Sequence, residues 1–392
     1  MDLTELLMAA IYQCQLENRN KDQTLDTREY HRLIASLLSN PHCDINVYCD
    51  NASNFKSLQL IPSTALQCAA DSGNLSIVQL VLKHARFILH PSDLIYVCFN
   101  KYINVLNIIN NNADAFMGGH FLFNMECLVG KYRYSAHNFL HPMSFKGTAL
   151  MGAVFNYPNN GESDAKEYQR LIIHMLNRPE CDPNAFCDGP IECPSTVLQC
   201  AIASMNSNVF ELLCNHHRVV PHNTDLTFAC KVGNSNAVSI LCTKFNSDVN
   251  KADIRGSLPV FIATTDILHL LMNLPGEIRL AKGPAKFRRI NERIITECDL
   301  NIRNDSGYTP LHYATKYESI EMITLLLSNV KCNKQALTNE GESALSLHIR
   351  NRNNEIKPHL VKCRVGFLQV FDILCSSTES INAATHTLAL SI

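Results

Sequence analysis

The residues best able to do chemistry in this 392-residue chain are its seventeen cysteines and sixteen histidines. Cys43 and Cys49 stand in C-x5-C spacing, and Cys181, Cys187 and Cys193 use that spacing twice. Thiolates gathered in this way could hold zinc, but zinc sites usually use C-x2–4-C pairs with a second ligand pair nearby. The wider spacing, and the absence of a third cysteine from the first group, speak against a metal. A second group, His120, Cys127, His137 and His141, lies in "GGHFLFNMECLVGKYRYSAHNFLHPMSFKG". Cys127 with one of these histidines as base would be a nucleophilic pair. The segment is too short to form a catalytic domain of its own. No Gly-x-Ser-x-Gly, P-loop, His-Glu-x-x-His or dinucleotide fingerprint occurs in the chain. The expectation is a protein that is not an enzyme, with no catalytic, cofactor-binding or metal-binding residues. An enzyme built on Cys127 is the alternative.

The odd number of cysteines cannot all pair, and they are spread through apolar segments. Reduced, buried thiols in a cytoplasmic protein are the better reading. Hydrophobic residues make up 46% and charged residues 18%, enough for an extensive core. A net charge of −2 gives no global reason to expect nucleic acid or an anionic membrane as partner. No segment approaches the roughly 18 apolar residues of a membrane span, and "MDLTELLMAAIYQCQLENRNKD" lacks the basic flank and apolar run of a signal peptide.

The elements that carry these cysteines are written twice. "EYHRLIASLLSNPHCDINVYCD" from Glu29 matches "EYQRLIIHMLNRPECDPNAFCD" from Glu167, an offset of 138. "PSTALQCAADSGNLSIVQLV" from Pro62 matches "PSTVLQCAIASMNSNVFELL" from Pro194, an offset of 132, and "DLIYVCFNKYINVLNII" from Asp93 matches "DLTFACKVGNSNAVSIL" from Asp225 at the same offset. The six-residue difference falls in a polar connector, which marks it as a loop. A third echo ends at Cys298-Asp299-Leu300-Asn301. Three modules follow, over 1–115, 148–255 and 256–376. An irregular spacer (116–147) separates the first two, and a flexible tail (377–392) follows the third. Each unit is a pair of short amphipathic helices, which cannot bury its apolar face alone and must stack on its neighbours. A duplicated structural unit explains the repeated cysteines better than a metal does.

"CDLNIRNDSGYTPLHYATKYESIEMITLLLSN", from Cys298 to Asn329, resembles an ankyrin repeat, with Gly307 before Thr309-Pro310-Leu311-His312 and then Ala314. "SDVNKADIRGSLPVFIA" is similar, and "STALQCAA" and "STVLQCAI" keep the Thr and Ala positions while Gln67 and Gln199 replace His. The resemblance implies an all-α helical repeat, an ankyrin-like solenoid of about nine irregular helix-pair repeats in three duplicated modules. It places Cys68, Cys200, Cys98 and Cys230 at buried apolar positions. It also implies a concave face that binds a protein partner. Residues Arg279, Lys282, Lys286, Arg288, Arg289 and Arg293 form a basic stretch that could steer an acidic partner; a solvated helix face is the plainer reading. The insertions "QLENRNKDQTLDTRE", "NYPNNGESDAKE" and "RNRNNEIKPHLVK" are further candidates for a binding face. The tail "SSTESINAATHTLALSI" resembles the C-terminal signals of effectors that intracellular bacteria secrete through type IV systems. That resemblance implies delivery into the host-cell cytoplasm and a host-cell protein as partner. A monomer is expected, and a non-secreted intracellular ankyrin adaptor is the other reading.

Overall fold

The computed structural model describes residues 3, 6–11, 27–46, 64–117, 123–133, 142–158, 164–188, 193–254, 256–273, 298–317, 319–354 and 373–374. The chain divides into two compact units, Met1–Val220 and Pro221–Ile392. Both are built from pairs of short helices, so the fold is an all-α repeat.

In the first unit, helix Ala65–Asp71 pairs with Leu75–Leu82, and Pro91–Phe99 with Ile103–Asn111. Ala149–Phe155 then pairs with Ala165–Leu176, and Val197–Ala203 with Ser207–Asn215. The first helices are rich in small residues and lie side by side in the order Ala65–Asp71, Pro91–Phe99, Ala149–Phe155, Val197–Ala203. Threonine starts three of them: the hydroxyls of Thr64, Thr148 and Thr196 accept from Gln67, Met151 and Gln199 N–H. Each such cap contributes about 0.5–2 kcal/mol. Second helices bury one stripe, such as Leu171, Ile172, Met175 and Leu176. An antiparallel ribbon, Cys127–Arg133 with Pro142–Gly147, packs against the helices Pro91–Phe99 and Ala149–Phe155. It stands where the sequence reads an irregular spacer.

In the second unit, Asn223–Val232 pairs with Ser235–Thr243, and Pro310–Lys316 with Ile320–Ser328. Pro259–Ile262 packs between the first helices on either side of it, and Thr265–Met272 lies between second helices. Ala344–Asn354 packs on Pro310–Lys316. Pro259 and Pro310 open their helices, where a missing N–H costs nothing. Gly307 has φ of 75°, the left-handed turn its place before the tetrapeptide requires. Ile323 and Leu326 of the second helix are fully buried against the stack, each stabilising the fold by about 1.5–3 kcal/mol.

Candidate interaction surface

The Cys-Asp-x-Asn echo is a joint between repeats. Asp44 Oδ1 accepts from Asn46 N–H at 2.9 Å, and Asp182 does the same for Asn184 at 2.9 Å. Asp299 serves Asn301 in the same way at 2.8 Å. Each tight Asx turn aims the asparagine amide along the unit. Asn46 donates to the Arg86 carbonyl (2.7 Å) and accepts from Ile88 N–H (2.8 Å). Asn184 treats Arg218 and Val220 identically, at 2.9 and 2.8 Å, and Asn301 treats Lys331 and Asn333 so, at 2.7 and 2.6 Å. Asn124 bridges the Glu180 carbonyl and Asp182 N–H. A side-chain amide thus replaces a strand ladder, satisfying a backbone donor and an acceptor that would otherwise be lost.

Two arginines that the sequence reading missed complete the joint. Arg86 donates to the carbonyls of Leu38, Asn40, Pro41 and Cys43, closing the C-terminus of helix Thr27–Ser39. Arg218, 132 positions on, does the same for Leu176, Arg178, Pro179 and Cys181. The guanidinium fork suits several diverging carbonyls, and its charge complements the helix C-terminus. The signal was legible: both arginines occupy the same position of the duplicated segment.

The first helices are joined by a second polar line. His312 Nδ1 accepts from Thr309 N–H at 3.3 Å, which leaves Nε2–H to donate to the Glu342 carbonyl of the next repeat at 3.0 Å. Burial holds this imidazole below its usual pKa, hence neutral. Where glutamine replaces histidine, Gln67 Nε2 donates to Asp93 Oδ1 (3.0 Å) and Ser92 Oγ (3.1 Å) of the next helix. The substitution keeps the link between repeats by other means.

Among the described residues, the groups best able to do chemistry are engaged in caps or buried in the core. His90, Ser92 and Asp93 bring together the residue types of a hydroxyl nucleophile, with His90 Nδ1 2.6 Å from Ser92 Oγ. However, Asp93 Oδ2 accepts from the His90 backbone N–H (2.9 Å), an N-cap, so the carboxylate does not orient the ring. His222, Thr224 and Asp225 repeat that cap. The buried Cys127 lies beside Asp93 and Ser92 at the start of the ribbon, and desolvation followed by the Asp93 charge pushes its thiol up to about 11. An activated nucleophile needs the opposite shift. Cys181, Cys187 and Cys242 are pushed up to about 12, all first by burial. Cys43, Cys68, Cys98, Cys193, Cys200 and Cys230 are buried as well. Among the described residues no group of three or more His, Cys, Asp or Glu is placed to hold a metal ion. Cys49, His120, His137 and His141 lie outside the described residues.

Among the described residues, two exposed features stand out. Ile88 and Val220, equivalent in the duplication, are 43% and 64% exposed at the position where Asp182, Asp299 and Asn333 stand in other repeats. On helix Pro310–Lys316 the Lys316 ammonium lies 5.6 Å from the Tyr308 ring centre and 5.8 Å from that of the exposed Tyr317. Tyr313 stands 4.7 Å from Tyr317 and packs edge-on against Phe261 at 5.5 Å. The origin of the ribbon is visible in the spacing of the repeats. Asn301 and Thr309 are eight positions apart, whereas Asn124 and Thr148, at the same two places in their repeat, are twenty-four apart. The ribbon is therefore the loop between joint and first helix, lengthened into two strands.

The basic residues Arg279, Lys282, Lys286, Arg288, Arg289 and Arg293 lie outside the described residues, as does most of each insertion. Among the described residues no helix is long and apolar enough to cross a membrane. No curated protein matches the chain. Residues 281–372 match the family model for ankyrin repeats in three copies, so this part of the chain carries ankyrin repeats, a protein–protein interaction module.

Proposed function

We propose that the chain is a non-catalytic scaffold that holds a partner protein on the surface of its stacked repeats. One observation carries the reading: helix pairs joined by repeating asparagine, arginine and histidine links, with ankyrin repeats over 281–372. Such stacks present long continuous surfaces, and rigid joints lower the entropy cost of binding. We extend the proposal to three modules over 1–115, 148–255 and 256–376, with the basic stretch from Arg279 to Arg293 contributing to partner steering. The finer reading is a secreted bacterial effector whose partner is a host-cell protein. The duplicated, cysteine-rich repeats and the polar tail over 377–392 support it by resemblance.

Affinity capture from host-cell lysate with the full chain tests the scaffold. One protein should be enriched saturably, retained by Cys127→Ala and weakened by Tyr317→Ala or Ile88→Ser in variants that melt like the parent. Repeated capture with no saturable partner would overturn it. Delivery is tested separately: deleting residues 376–392 should abolish translocation into host cells, and unchanged translocation would assign the signal elsewhere.

A further inference from the structure

An aromatic row in the second unit runs from the core to the surface and ends beside a cation. Phe261 meets Tyr313 of the next repeat edge-on, and Tyr313 leans on Tyr317. Phe261 is 9% exposed, Tyr313 is half-buried and Tyr317 is 54% exposed, so the row is rooted at one end and open at the other. At the open end the exposed Lys316 holds its ammonium within cation–π reach of both Tyr308 and Tyr317. Among the described residues Lys316 has no carboxylate partner. The acids of the neighbouring repeat are already engaged: Glu340 and Glu342 lie 3.2 and 2.9 Å from Arg350, on the helix that packs against Pro310–Lys316.

We propose that Lys316 and Tyr317 anchor an acidic side chain of the partner protein, an Asp or Glu that stands next to a bulky apolar residue. The inference rests on the scaffold reading and names the chemistry of the partner. An exposed lysine ordinarily gains little from an ion pair, because pairing must immobilise a flexible side chain. Two ring contacts already restrict Lys316, so an arriving carboxylate meets a cation that is largely ordered beforehand. The apolar neighbour of that carboxylate covers the exposed Tyr317 ring, which offers a large contact area at low entropy cost. One cation suits the single charge of a carboxylate. A phosphate carries nearly two charges and is usually met by a cluster of arginines. Here Arg350 is paired with two carboxylates, and Arg303 donates to the Leu337 carbonyl and Asn339.

The test selects a random peptide library, displayed on phage, against the full chain, and follows the selected peptides by fluorescence anisotropy. They should share an Asp or Glu beside a large apolar residue. Lys316→Ala should weaken them about fivefold, the upper end for an exposed ion pair. Lys316→Glu should weaken them further, and a peptide with its acid changed to lysine should recover binding to K316E. Tyr317→Ala should weaken the parent peptides as well. If a variant melts differently from the parent, changing the peptide's acid to its amide should still cost about fivefold on the parent chain. Selected peptides without the acid, or no loss with K316A and with the amide peptide, overturn the proposal. So does a phosphopeptide that binds through Lys316 where its acidic counterpart does not. Peptides that bind saturably yet ignore Lys316 refute this site and leave the scaffold reading standing. A chain that selects no peptide and captures no protein refutes both.

Discussion

Arg218 Nη2 donates to the Cys181 carbonyl at 2.6 Å, and Arg86 Nη1 donates to the Cys43 carbonyl at 3.1 Å. The same contact, made twice, shows why the Cys-Asp-x-Asn segment and a distant arginine are copied together. The cysteine carbonyl closes one repeat and accepts from the arginine that follows the next helix pair.

Arg218→Ala should therefore lower the stability of its unit by about 1–2 kcal/mol, because the carbonyls at the C-terminus of Ala165–Leu176 must then find water. Arg218→Lys should recover part of the loss, since an ammonium cannot span the same set of carbonyls. Urea unfolding of the two variants against the parent measures both. A loss confined to a few tenths of a kcal/mol would mean that water replaces the guanidinium without cost.

Met205 adopts φ of 55° in the turn after helix Val197–Ala203, and its equivalent in the other copy, Gly73, adopts 68°. The left-handed region costs a side chain-bearing residue about 1–2 kcal/mol and glycine almost nothing. Met205 is also 61% exposed, so little burial offsets the strain. Met205→Gly should raise stability by about 1 kcal/mol. Gly73→Ala should lower stability by a similar amount although a Cβ there meets nothing within 4 Å. Thermal melts of both variants decide whether the two copies obey one rule.

These contacts show how far the sequence could be read. The helix pairs follow from local pattern, because they depend on spacing of 3 or 4 residues; the Thr309 tetrapeptide and the buried places of Cys68, Cys98, Cys200 and Cys230 come from the resemblance to ankyrin repeats. The asparagine and arginine joints leave no local trace, because they connect backbone atoms 30 to 58 residues away; only the duplication, with both arginines at one position of it, points to them. The ribbon was missed for a different reason. Its alternation is broken by the bulge at Val129, and an interrupted period of two looks like irregular structure. The Asp93 cap shows the opposite hazard: Ser, His and Asp in one short run are a nucleophile by composition and a helix start by geometry.

His312 gives the stack a pH dependence of definite sign. Its pKa is lowered in the folded state, first by burial. Above the ordinary value of 6.5 the ring is neutral in folded and unfolded chains alike, and its links to Thr309 and Glu342 are intact. As pH falls through 6.5 the unfolded chain takes up a proton that the folded one refuses, so stability declines until the folded imidazole also protonates. The melting temperature should fall between pH 7 and 5. His312→Gln should be less stable at pH 7 but show a shallower fall, one proton uptake having been removed. An unchanged slope would place the dependence on His90 and His216, whose pKa values burial also lowers.

Cys127 separates the scaffold from the thiol enzyme most directly. With its pKa pushed up to about 11, the thiolate is about one part in ten thousand at pH 7, against a few per cent for a free thiol. Iodoacetamide should modify Cys127 in the folded chain about two orders of magnitude more slowly than in urea, as peptide mass spectrometry would measure. Cys181 and Cys187, pushed up to about 12, should be slower still. Selective, rapid labelling of Cys127 in the folded protein would require a base at the thiol stronger than the Asp93 field that now opposes ionisation. It would return Cys127 to the role of nucleophile.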